Sequence, residues 1–302
     1  MTAEDHADPR PQGFRPDPRP LEPGLHFVAT PIGAARDITL RALDILAKAD
    51  VLAAEDTRTL RHLMEIHGIA LGARRIIAYH DHNGDRVRPL LLARLAEGKS
   101  VAYASEAGTP LVADPGFPLA REAIAAGHTL RAAPGPSALL AALTVAGLPT
   151  DQFHFSGFLP ATRSARRRAI ADLRAVPGTI VLYESPRRVR ALLEDLAEGL
   201  GAAREAALCR ELTKRFEETR RGSLAALIDG FGEATPKGEF VVLVAPATEA
   251  PAEPEDLAAE IARALPGRHV KEVAAELALK HGLNKRDVYQ LALEVRKTME
   301  DG

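Results

Sequence analysis

The sequence contains a single cysteine, Cys209, among 302 residues, and it contains no tryptophan. A single thiol excludes an internal disulfide framework, and no Cys/His cluster has the spacing of a zinc site. We therefore expect a cytoplasmic protein that needs no metal. Cys209 stands in the apolar segment "AALCREL", which favours a buried strand residue because a free cysteine behaves as a small hydrophobe. A catalytic thiol is the alternative.

Long apolar runs and a strong net charge are also missing. No stretch of about 18 or more apolar residues occurs, which argues against a membrane span. Residues 1–24 are polar and Pro-rich without the apolar core of a secretory signal, and they predict a disordered arm. The 39 basic and 41 acidic side chains nearly balance, so any surface for nucleic acid has to be local. Basic clusters at 163–168, 187–190 and 285–286 predict either solvated helix faces or contacts with a polyanion.

Strand-length apolar runs alternate with helical patterns along most of the chain. "LHFVAT" (25–30), for example, precedes "ITLRALDILAKA" (38–49), in which leucines recur at helical spacing. This rhythm predicts an α/β fold with a largely parallel sheet in its first part. The predicted organisation is an α/β domain over 25–150, a second over 151–246, a Pro/Ala/Glu-rich linker over 247–255 and a helical domain over 256–302.

The helical tail contains two amphipathic helices joined at "HGLN". Asn284 is a suitable N-cap for the second of them, and Lys285 and Arg286 stand at its start. The arrangement resembles a helix-turn-helix, in which such residues contact nucleic acid. A plain helical hairpin or a dimer contact is the alternative.

Two loops that follow predicted strands bear most directly on function. The sequence has neither G-x-G-x-x-G nor the P-loop pattern, which excludes the ordinary dinucleotide and P-loop sites. The first loop, within 28–40, contains Pro31 and Gly33 and is by itself compatible with a simple strand-to-helix turn. The second, "SEAGTPLVADPG" (105–116), combines prolines, a glycine and side-chain oxygens. Such a rigid loop suits an adenosyl ligand with a charged amino-acid tail, and an ordinary tight connection is the alternative.

Eight motifs occur in a fixed order: "ATPIGAARDITLRAL", "AAEDTR", "SEAGTPLVADPG", "PGPSA", "GLPTDQFHFSGFLP", "YESPRR", "CRELTK" and "KGEFV". Over about residues 25–245 the chain resembles the bacterial small-subunit ribosomal RNA (cytidine-2′-O)-methyltransferases, which belong to the tetrapyrrole-methylase class. "AAEDTR" and "CRELTK" favour the RNA enzymes over their small-molecule relatives. The sequence departs from the family pattern at Ala34, Glu106 and Arg187, where asparagine, aspartate and histidine are expected.

This resemblance implies a fold of the class III methyltransferase type, with two α/β domains, a cleft between them and a C-terminal helix-turn-helix domain. It implies S-adenosyl-L-methionine as the cofactor, a homodimer, and 2′-O-methylation of a cytidine ribose in 16S ribosomal RNA or the small ribosomal subunit. The cofactor-binding residues that it implies are Pro31, Gly33, Ser105, Glu106, Ala107, Gly108, Thr109, Pro110, Asp114, Ser137, Ala138, Tyr183 and Glu184.

A ribose 2′-hydroxyl is a weak nucleophile and gains from a nearby base. The candidate catalytic residues in the motifs are Glu55, Asp56, Arg58, Glu184 and Lys214, with Asp37 and Glu211 as further polar groups. Glu55 and Asp56 are adjacent carboxylates, so either one has its pKa raised by the other or they cap the helix that follows. Lys214 or Arg58 is a candidate for contact with an RNA phosphate. Tyr183 either packs against a base or adenine or belongs to the core.

The sequence leaves two other functions open. A methyltransferase for a small-molecule tetrapyrrole, such as a corrin precursor, would share the cofactor loops but would need no basic tail. A DNA-binding regulator would use the helix-turn-helix, with the α/β part as a ligand sensor.

Overall fold

The computed structural model describes residues 14–231, 236–247, 254–281 and 283–300. The chain divides into two compact units, Met1–Pro246 and Ala247–Gly302. Residues 1–13 of the predicted arm and 248–253 of the predicted linker lie outside the described residues. Among the helices that the structure describes, none has the length and apolar composition that a membrane crossing requires.

The described part of the predicted arm contacts the folded chain. Phe14 and Leu21 pack against the buried apolar side chains of the first helices. The Lys48 ammonium donates to the backbone carbonyls of Asp17 and Arg19 at 3.0 and 2.9 Å. These contacts hold residues 14–23 against the chain, although composition alone predicts disorder up to Gly24.

The first sheet is parallel throughout, as the alternating pattern predicts. Its strands are β1 (Gly24–Val28), β2 (Val51–Ala54), β3 (Ile76–Ala78), β4 (Ser100–Ala104) and β5 (Leu130–Ala133). The spatial order is β3-β2-β4-β1-β5, and every neighbouring pair is parallel. Its helices are α1 (Leu40–Lys48), α2 (Thr57–Ile66), α3 (Gly84–Ala96), α4 (Phe117–Ala125) and α5 (Ala138–Ala146). Parallel pairing brings the carboxyl ends of these strands, and the loops that follow them, to one edge of the sheet.

The second sheet is mixed. Its strands are β6 (Phe153–Phe158), β7 (Thr179–Glu184), β8 (Glu205–Arg210), β9 (Glu218–Ser223) and β10 (Phe240–Val244), with helices α6 (Arg163–Leu173), α7 (Val189–Leu200) and α8 (Leu224–Asp229). The order is β6-β7-β10-β8-β9; β6 and β7 are parallel and the other pairs antiparallel. Cys209 is buried in β8, and burial raises the pKa of its thiol, which favours the core interpretation over a catalytic thiol.

Helix α5 belongs to the first half of the chain but packs on the second sheet. Its residues Ala142 and Leu143 share one apolar cluster with Val181 of β7 and Leu243 of β10. The same cluster includes Ile32, from the loop after β1. Burial of this apolar surface fixes the two sheets against each other, so the loops of both sheets face a common cleft.

The second unit consists of α9 (Pro254–Ala264), α10 (Val270–Lys280) and α11 (Lys285–Glu300). Ile261, Val273 and Val288 are among the buried side chains that join the three helices. The Asn284 side chain accepts a hydrogen bond from the Arg286 backbone N–H at 2.9 Å. This confirms the predicted N-cap at the start of the last helix.

Candidate functional site

The loops after β1 and β4 are bound to each other by backbone hydrogen bonds. The Thr30 and Gly108 backbones exchange two of them, each 3.0 Å long. The Thr30 hydroxyl donates to the Ser105 carbonyl at 3.1 Å, and the Ser105 hydroxyl donates to the Gly108 carbonyl. Gly108 has φ +84°, in the left-handed region that favours glycine, and an added Cβ would lie 3.3 Å from Ile32. These bonds fix the two loops to each other at the edge of the cleft.

The rest of the 105–116 loop is folded tightly around one carboxylate. Leu111 and Ala113 adopt left-handed φ values of 69° and 57°, which are strained for side chains with a Cβ. The Asp114 carboxylate accepts hydrogen bonds from the Tyr103 hydroxyl at 2.8 Å and the Gly116 backbone at 3.1 Å. Burial raises the pKa of Asp114 in spite of these bonds. Strain of this kind clusters at ligand sites, which supports the binding interpretation over an ordinary connection.

The second sheet supplies the opposite wall. The Tyr183 hydroxyl accepts a hydrogen bond from the Leu139 backbone N–H at 2.9 Å, which ties the wall to α5. The Glu184 carboxylate is almost fully buried, accepts from the Ser185 backbone at 2.7 Å and pairs with the Arg188 guanidinium at 3.0 Å. Tyr183 and Glu184 are thus both held in place where β7 meets the cleft.

The two walls enclose a cleft of about 470 Å³. Its lining includes residues 106–109 and 112–114 from the first half of the chain and residues 183–186 from the second. Every charged side chain among the described lining residues is acidic: Glu55, Glu106, Asp114, Glu184 and Glu239. A volume of this size suits a small-molecule ligand. Glu184 and Glu239 are paired with cations, whereas Glu55, Glu106 and Asp114 have no ion pair among the described residues, and these three favour a ligand that carries positive charge.

Glu55 and Asp56 are neighbours in sequence but differ in environment. Asp56 caps α2 by accepting from the backbone of Arg58 at 2.7 Å, and it pairs with the Arg58 guanidinium at 2.9 Å. These hydrogen bonds lower the pKa of Asp56 to about 2. Glu55 instead lines the cleft, and within the described residues it has no hydrogen-bond or ion-pair partner. Burial, then the nearby charges of Asp114 and Glu106, raise the pKa of Glu55. Of these two acids, only Glu55 has an unpaired carboxylate that faces the cleft.

The predicted cofactor-binding residues separate into two groups. Those that line the cleft are Glu106, Ala107, Gly108, Thr109, Asp114, Ser137, Ala138, Tyr183 and Glu184. Those that do not line it are Pro31, Gly33, Ser105 and Pro110. Gly33 shows what the second group does, because a Cβ there would lie 2.5 Å from Lys214 Cγ and 2.6 Å from the Thr213 hydroxyl. Its missing side chain lets loops from the two sheets approach each other.

The predicted catalytic residues separate in the same way. Glu55 and Glu184 line the cleft, whereas Asp56, Arg58 and Lys214 do not. The Lys214 ammonium pairs with Glu211 at 2.9 Å and Glu239 at 2.8 Å. Although burial opposes its charge, these two carboxylates raise the pKa of Lys214. The Lys214 ammonium therefore stays protonated and bridges two carboxylates. A protonated ammonium cannot accept a proton, so Lys214 is unsuited to act as a base.

Seven lining residues were not among the predicted ones: Ile32, Val112, Ala113, Phe158, Ser185, Pro186 and Glu239. Sequence signals for some of them existed. Phe158 stands in "FHFSGFLP" and Glu239 in "KGEFV", both motifs of the resemblance, but neither motif indicates which of its side chains faces a ligand. The fold decides that, through the way β6 ends and β10 begins.

Comparisons with known proteins agree with this architecture. The family model of tetrapyrrole (corrin/porphyrin) methylases matches residues 24–228. The ribosomal RNA small subunit methyltransferase I of Mesorhizobium japonicum is 48% identical over 285 residues, which cover 94% of this chain and 96% of that protein. The protein of the same name from Halalkalibacterium halodurans is 39% identical, with coverage of 88% and 93%.

Among solved structures, that of diphthine synthase resembles the chain in fold, with a TM-score of 0.57 at 19% sequence identity. The similar region covers 73% of this chain and 89% of that one. Identity this low bears on the fold alone, whereas the sequence relatives span nearly the whole chain. The chain belongs to the tetrapyrrole methylases and, within them, to the family of ribosomal RNA small subunit methyltransferase I.

Proposed function

We propose that this protein transfers a methyl group from S-adenosyl-L-methionine to the ribose 2′-oxygen of a cytidine in small-subunit (16S) ribosomal RNA. The observation that carries the proposal is the carboxylate-lined cleft, built by both sheets of a chain in this family. We further propose that the protein is a cytoplasmic homodimer and that its helical tail adds phosphate contacts, which would make binding salt-dependent.

The charge and the volume of the cleft suit S-adenosyl-L-methionine. This cofactor carries positive charge on its sulfonium and ammonium groups, which the carboxylates of Glu106 and Asp114 would stabilise. The backbone at 107–109 and residues 137–138 would hold the uncharged parts, since Gly108 allows close approach. When bound, the cofactor supplies an electrophilic methyl group, so the protein mainly has to align the acceptor.

Glu55 is the proposed proton acceptor for the 2′-hydroxyl. Its carboxylate lines the cleft, has no partner among the described residues and has a raised pKa. A raised pKa makes a carboxylate a stronger base. The proton of the acceptor hydroxyl would pass to Glu55 as the oxygen forms its new bond to the methyl carbon. The bond between that carbon and the sulfonium sulfur would break, the sulfur would keep the electron pair as a neutral thioether, and the proton would then leave Glu55 to water.

The charge of the cleft also supports RNA over a tetrapyrrole as the methyl acceptor. Corrin precursors carry several carboxylates on their ring, and the carboxylate of Glu55, which has no partner among the described residues, would repel them. A nucleotide can place its uncharged ribose in the cleft and keep its phosphates outside it.

The test uses methyl-labelled S-adenosyl-L-methionine and small ribosomal subunits from cells that lack this protein. We expect label on one cytidine ribose, located by mass spectrometry of nuclease fragments. An exposed carboxylate outside the cleft, changed as Glu194→Gln, gives a matched control that keeps wild-type transfer, whereas Glu55→Gln loses it. Label on a base, or label only on an added tetrapyrrole, would refute the proposal.

A further inference from the structure

Strand β6 contains an irregularity close to the cleft. Phe155 pairs with Val181 and Gly157 pairs with the next residue, Leu182, so Ser156 is an extra residue in the strand. Gly157 has φ +63°, a left-handed conformation that glycine adopts without strain. Bulges occur next to active sites, where they redirect a side chain.

The bulge changes which side chains share a face of the sheet. In a regular strand, residues three apart point to opposite faces. Here both Phe155 and Phe158 contact the ring of Tyr183, edge-on, with ring centroids 4.8 and 5.7 Å away. The extra residue therefore brings Phe158 to the cleft side of the sheet.

Phe158 stays open to solvent in this position. It lines the cleft, yet it is 58% exposed. Tyr183 supports it from behind and is itself fixed by the hydrogen bond from Leu139. A supported aromatic ring at the rim of a cleft offers a surface on which a planar group can stack.

An unpaired cation lies in the neighbouring loop. The Arg188 guanidinium donates to the carbonyls of Leu159 and Pro160 at 2.7 and 3.2 Å, so this loop lies against the residues that follow Phe158. Arg187, which comes next to it, is exposed and has no ion pair or hydrogen bond within the described residues.

Most of the nearby arginines on α6 and α7 are already paired. Arg163 and Arg166 bind Asp195, Arg167 binds Glu198, and Arg190 binds Glu194. The first three pairs join α6 to α7, and the Arg190–Glu194 pair lies within α7. Arg187 differs from them because its charge has no partner within the described residues, and it directly precedes Arg188, which binds the carbonyls of the two residues after Phe158.

We propose that Phe158 stacks on the base of the nucleotide that is methylated, while Arg187 contacts a phosphate next to it. The inference rests on the proposed function and specifies its substrate contacts. A nucleotide offers both a base and a phosphate, whereas S-adenosyl-L-methionine has no phosphate, so the pair of side chains favours RNA over the adenine of the cofactor. Proteins read unpaired nucleotides by this combination of stacking and charge.

The test compares Phe158→Ala and Phe158→Trp with the matched control Phe153→Ala. Phe153 lies at the other end of β6 and is 45% exposed, so the control removes a similar ring from the same strand. For each variant, kcat/KM is measured with small subunits, and the Kd for S-adenosyl-L-methionine is measured by calorimetry. We expect Phe158→Ala to lower kcat/KM by roughly 5- to 100-fold at unchanged cofactor Kd, the range that one base stack supplies. Phe158→Trp should restore most of the loss.

Arg187→Ala gives an independent readout. It should weaken binding of the subunits and reduce the slope of log K against log salt by about one, the value of one lost phosphate contact. Arg168→Ala is its control; it removes an exposed arginine of α6 and should leave methylation unchanged.

Three results would overturn the inference. The first is a weaker cofactor Kd in Phe158→Ala, which would place the ring on the adenine. The second is equal loss in Phe153→Ala, and the third is no recovery with tryptophan. If the wild-type protein transfers no methyl group to subunits, the proposed function itself fails. In that case the stacking contact is tested by measuring the Kd of each variant for a single-stranded oligocytidine. Phe158→Ala must weaken this binding and Phe153→Ala must not.

Discussion

Asp195 lies on α7 with a side chain only 2% exposed, and it pairs with two arginines of α6. Arg166, 7% exposed, holds one carboxylate oxygen at 2.6 Å, and the exposed Arg163 holds the other at 3.0 Å. Asp195→Ala removes the only acidic partner that the structure shows for the Arg166 guanidinium, which then stays buried. Breaking a buried pair in this way costs about 3–5 kcal/mol. For a unit of this size that corresponds to a fall in Tm of roughly 6–20 °C.

The assay is thermal unfolding followed by circular dichroism, supported by urea titration. The control is Glu194→Ala, which breaks the exposed pair with Arg190 on the same helix and should cost at most about 0.5 kcal/mol. Replacing both partners, as Arg166→Met with Asp195→Leu, should recover most of the loss, since no buried unpaired charge is left behind and Arg163 is exposed and keeps Glu198 at 3.6 Å. Equal effects of the two single alanine variants would refute the argument that burial sets the cost.

The same pair predicts a dependence on pH. Burial raises the pKa of Asp195, but the hydrogen bonds and charges of Arg166 and Arg163 outweigh it, so the pKa in the folded protein is lowered. The folded state then binds fewer protons than the unfolded state, and stability rises with pH. The contribution is complete at neutral pH and is lost as pH falls below about 4. The difference between wild type and Asp195→Ala should therefore shrink below that pH; a constant difference would contradict the assignment.

Four further changes have distinct expected outcomes. Glu55→Gln should lower kcat by roughly 10²–10⁴-fold at neutral pH by removing the proton acceptor. Because the pKa of Glu55 is raised, wild-type kcat should fall with decreasing pH at a pKa above the ordinary 4.5, and the variant should lack this limb. Asp56→Ala should lower Tm through loss of the α2 cap while the cofactor Kd stays constant. Gly33→Ala places a methyl group 2.5 Å from Lys214 Cγ, and it should cost about 1–3 kcal/mol and weaken cofactor binding as the loops separate. Gly157→Ala imposes a left-handed alanine at about 1–2 kcal/mol and should reduce RNA methylation at unchanged cofactor Kd.

Each of these predictions has a result that would contradict it. A retained acid limb in Glu55→Gln would place the titrating group elsewhere. Weaker cofactor binding in Asp56→Ala would mean that this carboxylate faces the ligand. Wild-type behaviour of Gly33→Ala or Gly157→Ala would show that the loop contact or the bulge has no role in shaping the cleft.

The sequence by itself determined the first sheet and the loops at its edge. Apolar runs such as "SVAYA" alternate with amphipathic helices, and this alternation predicts a parallel sheet with helices on its faces. Caps are equally local, as Asn284 demonstrates, because a side chain bonds to a backbone group two residues away. Local spacing also predicted a ligand site in the 105–116 loop, since proline, glycine and side-chain oxygens act through nearby backbone, and residues 106–109 and 112–114 of this loop line the cleft.

Tertiary structure decided the features that depend on distant partners. Strand β9 is a charged edge strand without apolar alternation, and only its pairing with β8 makes it a strand. The bulge at Gly157 appears only when β6 is aligned with β7. Glu55 and Asp56 are adjacent acids that sequence could not tell apart, because one faces α2 and the other a cleft closed by a second sheet. A side chain's pKa and accessibility are set by what surrounds it in space, and for this cleft the surroundings come from both halves of the chain.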